Sequence, residues 1–179
     1  GYACTMQNCL IKGNVAVGNA GGGVFDSICQ NSVIAGNYAG FLGGGSRGGT
    51  NQNCTLVANG ALVDGGGMYN SVAFNCIVYF NTNQAGAVRN IYSPSECVYT
   101  CTTPDPGGAG NTTNDPNLAS LDNPRLNAGS PCIDQGANAY ASGAADFSGN
   151  PRIYNSIVDM GALEYMPLPA ITTAGLPTG

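Results

Sequence analysis

A repeat of about 22 residues runs through the first half of the chain and limits what it can fold into. An Asn-Cys or Asn-Ser pair followed by aliphatic residues occurs four times, at intervals of 23, 22 and 22 residues, at Asn8, Asn31, Asn53 and Asn75. A second asparagine follows each pair in the same phase, at Asn14, Asn37, Asn59 and Asn81. Triple glycines begin at Gly21, Gly43 and Gly65, with a degraded fourth copy at residues 85–87. Such self-similarity defines the fold before any single helix or strand is assigned.

The length of the unit selects a parallel β-helix. A helical repeat needs about 33 residues or more for two helices, and glycine and asparagine are poor residues inside helices. The short β-branched runs ended by Asn or Gly are typical of strands. We therefore predict an all-β, right-handed parallel β-helix of about 22 residues per coil, whose coils stack about 4.8 Å apart.

Vertical stacking turns each repeated position into a column. The asparagine column Asn14, Asn37, Asn59 and Asn81 is expected to form a hydrogen-bonded ladder at a corner where asparagine tolerates the left-handed conformation. The triple glycines mark a corner that excludes a Cβ. Alternation points two columns inward as the core: Cys9, Ser32, Cys54 and Cys76, then Ile11, Ile34, Leu56 and Val78. Each buried aliphatic contributes about 1.5–3 kcal/mol.

An outward column between these two is mostly apolar. It consists of Leu10, Val33, Thr55 and Ile77. A contiguous apolar stripe on a soluble protein usually marks a contact. We expect either the chain's own C-terminal segment or a second copy of the protein to cover it, and we treat it as a candidate self-association stripe.

The chain has eight cysteines and no histidine, which favours an oxidising, extracellular setting over a zinc site. Stacked Cys54 and Cys76 are predicted to be buried thiols, because coils about 4.8 Å apart are too far for a relaxed disulfide. Residues 96–99 are expected to begin a fifth coil that places Cys97 in the same column. The disulfide candidates, with pairing left open, are Cys4, Cys29, Cys101 and Cys132.

The repeat becomes irregular after Asn90. We predict three regions in the chain: β-helix coils at 1–101, a loop and C-terminal cap region at 102–165, and a Pro-rich tail at 166–179. A repeat array needs an atypical terminal unit, so the cap is expected to close the end of the stack. The tail is expected to dock along the apolar stripe or on a neighbouring molecule.

Three motifs in the cap region carry a family resemblance. They are Ser-Pro-Cys-Ile-Asp-Gln-Gly at 130–136, Asp-Phe-Ser-Gly-Asn-Pro-Arg at 146–152 and Val-Asp-Met-Gly-Ala-Leu-Glu at 158–164. This series resembles the C-terminal region of choice-of-anchor Q type β-helix proteins, and the coils resemble polymorphic membrane protein repeats. The resemblance implies a secreted or cell-surface bacterial protein and no particular activity. Two positions depart from the pattern: Cys132 replaces a small apolar residue, which suggests an added bridge, and Ser148 replaces a frequent acid.

The cap also holds the densest group of charged residues. They are Asp134, Asp146, Arg152, Asp159 and Glu164, together with Arg125. One interpretation is a set of turn and capping residues paired with the two arginines. The other is a Ca²⁺ site, which the loss of an acid at Ser148 weakens.

Composition excludes several functions. Five basic residues against ten acidic ones make nucleic acid an unsuitable partner. The absence of histidine removes the usual acid/base catalyst, and no apolar run is long enough to cross a bilayer. Asp26 and Asp64 fall in different phases of the coil, so no stacked pair of carboxylates is available for polysaccharide cleavage.

We therefore expect a non-enzymatic extracellular structural or adhesin protein that self-associates through an uncapped end and its tail, as a filament or surface layer. The alternatives are a carbohydrate-binding module using Tyr38, Tyr69 and Tyr79, and, less favoured, a polysaccharide lyase or hydrolase. Repeated aromatics at the coil spacing would support carbohydrate binding, but the sequence places only Phe25 and Tyr69 in one phase. Asn53 and Asn111 match the N-glycosylation pattern; the match at Asn53 is expected to be incidental, and Asn111 lies in a loop that could carry a glycan.

Overall fold

The computed structural model of the protein describes residues 3–18, 20–92 and 95–167. It is a parallel β-solenoid of four coils and a partial fifth, with about 22 residues per coil. The predicted fold class is therefore confirmed. In the described part of the chain, no helix is long and apolar enough to cross a membrane.

Three parallel sheets form the walls. The first contains β1 (Thr5–Gln7), β4 (Val24–Gln30), β7 (Ser46–Gln52), β10 (Met68–Tyr69), β11 (Val72–Phe74), β14 (Ile91–Tyr92) and β15 (Glu96–Val98). The second contains β2 (Leu10–Lys12), β5 (Val33–Ala35), β8 (Thr55–Val57), β12 (Ile77–Tyr79) and β16 (Cys101–Thr102). The third contains β3 (Val15–Ala16), β6 (Tyr38–Ala39), β9 (Gly60–Ala61) and β13 (Thr82–Asn83).

The register is the one that the repeat predicts. In the second sheet, Ile34 pairs with Ile11 below and Leu56 above, and Leu56 pairs with Val78. Ile34, Leu56 and Val78 are fully buried. The fifth coil differs from the prediction. Cys97 pairs with Ala73 in the first sheet, and Cys101 pairs with Ile77 in the second. This register places Thr100, rather than Cys97, above Cys76.

The left-handed corner positions differ from the expected ones. The ladder asparagines do not have positive φ; the residues that precede them do, namely Gly13, Gly36, Ala58 and Phe80. A second corner is made by the asparagine before each Cys or Ser, with φ of 52°, 45°, 47° and 51° at Asn8, Asn31, Asn53 and Asn75. The ladder asparagines are thus selected for hydrogen bonding, and the asparagines of the second corner for conformation.

The triple-glycine corner is shaped by the ladder beside it. A Cβ on Gly45 would lie 2.6 Å from the Gly67 carbonyl oxygen and 3.0 Å from the Asn59 side-chain nitrogen. The predicted fourth copy at residues 85–87 is wrong. The Gly67 amide bonds to the Arg89 carbonyl, so Asn90 occupies the next position of the third-glycine column.

The predicted loop and cap region, residues 102–165, divides into a part that covers the end of the stack and a part that lies along its side. The stretch that we call the end loop, residues 107–114, covers that end: Tyr99 and Thr102 donate to its carbonyls at 2.8 and 2.9 Å. Residues 118–165, here called the C-terminal strap, pack instead along the flank of the second sheet. The strap includes a short 3-10 helix, Asn138–Tyr140. The predicted docking of the tail concerns residues 168–179, which lie outside the described residues.

Candidate functional site

The asparagine ladder is the best-defined polar element of the solenoid. The Asn59 side-chain oxygen accepts from the Asn37 backbone N–H at 3.0 Å and from the Asn37 amide nitrogen at 2.9 Å. The Asn59 amide nitrogen donates to the Ile34 carbonyl at 2.9 Å and to Asn81 at 3.0 Å. All three side chains are buried. The predicted ladder is confirmed, and it satisfies corner backbone groups that would otherwise be buried without partners.

The two ends of the ladder are different. At the upper end, Asn90 adds a rung: its oxygen accepts from the Asn81 backbone N–H at 2.9 Å, and its nitrogen donates to the Thr103 carbonyl at 2.9 Å. At the lower end, Asn14 donates to Asn37 at 2.9 Å and is exposed. The sequence could not reveal Asn90, because it stands in the glycine column rather than the asparagine column.

The column of Cys9, Ser32, Cys54 and Cys76 is also confirmed. The Cys9 backbone N–H donates to the Ser32 hydroxyl at 3.0 Å, and the Cys54 N–H donates to the Cys76 sulfur at 3.4 Å. Burial is the main cause that raises the pKa of Cys54 well above its usual value. Ser32, Cys54 and Cys76 are fully buried, as predicted for the stacked pair Cys54 and Cys76, whereas Cys9 on the first coil is partly exposed.

No disulfide is present among the described residues. The predicted candidates Cys4, Cys29, Cys101 and Cys132 are all free thiols, of which only Cys4 is exposed. Cys29 packs in the central core, and burial is the main cause that raises its pKa. Cys101 and Cys132 share a cluster between the fifth coil and the strap, so Cys132 packs there as a thiol and does not form the added bridge.

Asparagines at the second corner attach the strap to the coils. Asn75 holds Ala137 from both sides: its amide nitrogen donates to the Ala137 carbonyl at 2.9 Å, and its oxygen accepts from the Ala137 N–H at 2.8 Å. Asn31 donates to the Ser142 carbonyl at 2.6 Å, and Asn53 accepts from the Ser142 N–H at 3.1 Å. In the sequence, these asparagines are visible only as markers of the repeat.

The apolar stripe is covered by the chain itself. Val33, Thr55 and Ile77 are only 2%, 1% and 1% exposed. The Ala162 backbone N–H donates to the Thr55 hydroxyl at 2.9 Å. Of the two covers that the sequence left open, the structure shows the intramolecular one, so these three residues are not available to a second copy. Only Leu10, at 58%, remains exposed.

The charged residues of the strap form a buried network. Arg152 donates to Glu164 through both its Nε and Nη2 atoms, and its Nη1 donates to Asn31 at 3.3 Å. Both side chains of the ion pair are 1% exposed. Arg125 is different from the expectation, since it donates to the Ser148 hydroxyl at 2.8 Å rather than to an acid.

The carboxylates of Asp146 and Asp159 accept N–H donors at both of their oxygens. Both Asp146 oxygens accept, from Ser148 and Asn150 on one side and from Glu164 on the other. Asp159 accepts from Asp134 at 2.7 Å and from Tyr165 at 2.6 Å. This is the chemistry of a structural turn cluster rather than of a Ca²⁺ cage, which needs oxygens directed at the ion. The described residues contain no group of three or more potential metal ligands.

Burial nevertheless perturbs these acids. Desolvation raises the pKa of Glu164 to about 7, against the opposing effect of Arg152. Desolvation also raises the pKa of Asp159, against its hydrogen bonds from Asp134 and Tyr165. Both groups are buried within the strap, at 2% exposure for Asp159 and 3% for Glu164. We therefore assign the shifts to the packing of the strap rather than to acid/base catalysis.

The two glycosylation motifs lie in different surroundings. Asn53 is completely buried, as expected for an incidental match. The Asn111 nitrogen donates to the Cys97 and Gly107 carbonyls at 2.9 and 2.7 Å, and its oxygen accepts from the Thr100 N–H at 2.9 Å. A glycan on the Asn111 nitrogen would replace one of its two N–H donors and so remove one of these hydrogen bonds. That Asn111 could carry a glycan, if the source glycosylates, stays a prediction.

Exposed apolar side chains gather at the first coil and at the corner after the third sheet. Leu10, Val15 and Val17 of the first coil are 58%, 64% and 89% exposed. Phe41 and Val63 are also exposed and lie at the corner after the third sheet on the second and third coils. The Val63 backbone N–H donates to the Phe41 carbonyl at 3.0 Å. Strands β1, β2 and β3 each form the end of their sheet. Among the described residues, no strand pairs with the outer side of the first coil, and this apolar edge lies at a different place from the predicted stripe.

Aromatic residues share one column more often than the sequence indicated. Phe25 and Tyr69 lie in register with Arg47 between them, and Tyr92 continues the column in the fifth coil. Tyr38 and Tyr79, the other aromatics proposed for carbohydrate binding, lie on other sheets: the Tyr38 ring is beside Gly60, and the Tyr79 hydroxyl donates to the Thr113 carbonyl at 3.1 Å.

Comparison of the chain with protein-family models, with curated proteins and with solved structures found no match.

Proposed function

We propose that the protein is a non-enzymatic structural or adhesin module of the cell surface that associates with itself through the edge of its first coil. The observation that carries the proposal is the open edge formed by β1, β2 and β3, with Leu10, Val15 and Val17 exposed beside it. An unpaired strand edge is a template for pairing with another chain, and exposed apolar groups beside it add the hydrophobic contribution.

A structural role is also supported by how the polar groups are used. The ladder asparagines, the corner asparagines and the buried acids bond to the chain's own backbone. Asp64 pairs with Arg89 at 3.3 Å. These residue types could serve catalysis, but here their hydrogen-bonding capacity is used to hold coils and strap together.

The geometry favours a closed pair over a filament. A head-to-tail filament requires the lower edge of one copy to meet the upper edge of another. At the upper edge, the end loop occupies the second sheet, where Thr112 bonds to Thr100 and Thr102 at 3.1 and 2.9 Å. The lower edge is then left to meet its own counterpart, which is an isologous two-fold contact of antiparallel edge strands.

The location outside the cell rests on the family resemblance of the three strap motifs and on the low charge content of 8%. The free thiols do not support an extracellular location, because disulfides are the feature expected in an oxidising compartment.

Sedimentation equilibrium over a wide concentration range tests the association. The wild-type chain should form a reversible dimer, and Val15→Lys, which puts a charge on the edge strand β3, should be monomeric. Val88→Lys is the matched control, because Val88 is also exposed, at 52%, but lies away from the first coil. A wild-type chain that stays monomeric at every concentration, or a control that dissociates as Val15→Lys does, would refute the proposal. Open polymers seen by electron microscopy would refute the closed pair.

A further inference from the structure

One column on the outer face of the first sheet combines three aromatic rings and a cation. Phe25, Arg47, Tyr69 and Tyr92 are in direct register on successive coils. The residues before them, Val24, Ser46 and Met68, are buried. Alternation along a strand therefore directs the four side chains away from the core.

Arg47 is held in place by the rings on both sides. Its guanidinium carbon lies 4.9 Å from the centroid of Phe25 and 5.8 Å from the centroid of Tyr69. Both distances are within the range of cation–π attraction. Tyr69 stacks in turn on Tyr92, with centroids 5.7 Å apart and planes inclined by 23°. The planar group of Arg47 is thus oriented before any ligand arrives.

Arg47 is also unusual among the five basic residues of the chain. Lys12 pairs with Asp122, Arg89 with Asp64 and Arg152 with Glu164, and Arg125 donates to Ser148. Within the described residues, the Arg47 side chain donates no hydrogen bond and forms no ion pair. A guanidinium carries five N–H donors in a fork that matches a carboxylate, so an oriented group with unused donors is a site for such an anion.

We infer that this column binds the carboxylate of an acidic oligosaccharide, with Arg47 as the anion-binding residue and the tyrosine hydroxyls of Tyr69 and Tyr92 as adjacent partners for sugar hydroxyls. An acidic peptide fits less well. The column lies on the face of a sheet whose backbone groups are paired, and a bound peptide would find no backbone partners there. The protein carries a net charge of −5, so recognition relies on this local geometry rather than on a long-range positive field.

Asp26 is the nearest competing charge. A Cβ on Gly48, the residue after Arg47, would collide with the Asp26 carboxylate oxygen. No ion pair joins Asp26 to Arg47 among the described residues. The carboxylate nonetheless opposes an incoming anion, so Asp26→Asn should strengthen binding.

Calorimetric titration with a trimeric oligouronate tests the assignment, and the same sugar with its carboxyl groups reduced to alcohols is the neutral comparison. The oligouronate should bind at least about tenfold more tightly than the neutral sugar, because a charge-assisted hydrogen bond contributes that much. Arg47→Ala should lose the same factor. Arg47→Lys should recover little of it, because lysine lacks the planar fork. Arg125→Ala removes the same charge elsewhere and should bind as the wild type does.

Three results would overturn the inference. They are no heat of binding for the oligouronate at millimolar concentration, equal binding of poly-glutamate, and Arg47→Lys binding as tightly as the wild type. The inference does not depend on self-association, so Val15→Lys, which targets the edge of the first coil, should retain the oligouronate affinity. Circular dichroism of each variant confirms that a loss of binding is not a loss of fold.

Discussion

Replacing Asn59 by alanine removes the central rung of the asparagine ladder. The substitution leaves the Asn37 backbone N–H without the partner that now lies 3.0 Å away. The Ile34 carbonyl loses its 2.9 Å bond from the Asn59 amide but remains in the ladder between β5 and β8. Asn37 and Ile34 are both buried, so water cannot replace the lost hydrogen bonds. The two side-chain bonds to Asn37 and Asn81 are lost as well.

The expected loss of stability follows from the number of groups left without partners. An unsatisfied buried backbone group costs about 1–3 kcal/mol, and one such group, the Asn37 N–H, together with the lost amide contacts gives about 2–4 kcal/mol. That is a large share of the roughly 5–15 kcal/mol that holds a typical domain together. The loss should appear as a lower urea midpoint with an unchanged slope, because the surface exposed on unfolding stays the same.

Asn14→Ala is the matched control for Asn59→Ala. Asn14 belongs to the same ladder and donates to Asn37 at 2.9 Å, but it is exposed at the open end. Its replacement should cost less than about 1 kcal/mol, because water can replace the lost contact. If urea unfolding gave equal losses for the two variants, or a loss below about 1 kcal/mol for Asn59→Ala, the ladder would not stabilise the fold as argued.

Three further predictions concern other parts of the fold. Gly45→Ala should lower the free energy of unfolding in urea by more than about 2 kcal/mol, since the new Cβ would lie 2.6 Å from a backbone oxygen. Gly86→Ala has open space around the new Cβ and a φ of +76°, so it should lower that free energy by only about 1–2 kcal/mol. The pKa of Glu164 in the folded state is raised to about 7, so the contribution of this group to stability is present at low pH and is lost as pH rises through about 7. The urea midpoint of the wild type should therefore fall between about pH 5 and about pH 8. Glu164→Gln should make the midpoint less dependent on pH. Under native conditions Cys4, the exposed thiol, should be alkylated fastest. Burial raises the pKa of Cys29, and it raises the pKa of Cys97 to about 12, so these two thiols should react only on unfolding. Rapid labelling of Cys29 in the native protein, read by peptide mass spectrometry, would contradict the packing described.

The coils could be predicted from the sequence because a period fixes vertical register. Once Asn37 and Asn59 are known to be one coil apart, their stacking and the burial of Ile34 and Leu56 follow from alternation. The same reasoning failed where the period changes. Asn90 follows Asn81 by nine residues, and yet it supplies the next rung of the ladder, because its backbone stands in the neighbouring glycine column.

The position of the strap could not be read in this way. Its residues have no period, and their partners lie far away in the chain: Ala137 meets Asn75, and Ser142 meets Asn31 and Asn53. A polar residue in a repeat gives no sign of whether its side chain bonds to the next coil or to a distant segment. The sequence therefore indicated an apolar stripe that needed a cover but could not choose between an intramolecular and an intermolecular one.

The length of the strap limits the number of coils that it can cover along the flank. It reaches the first coil through Asp122, which pairs with Lys12 at 2.7 Å, and the fifth through Cys132, which packs with Cys101. A coil inserted between these points would add a stripe residue with no strap residue to cover it. Because the strap that covers the flank has a fixed length, an inserted coil should expose an apolar residue of the stripe and create a new adhesive surface on the flank.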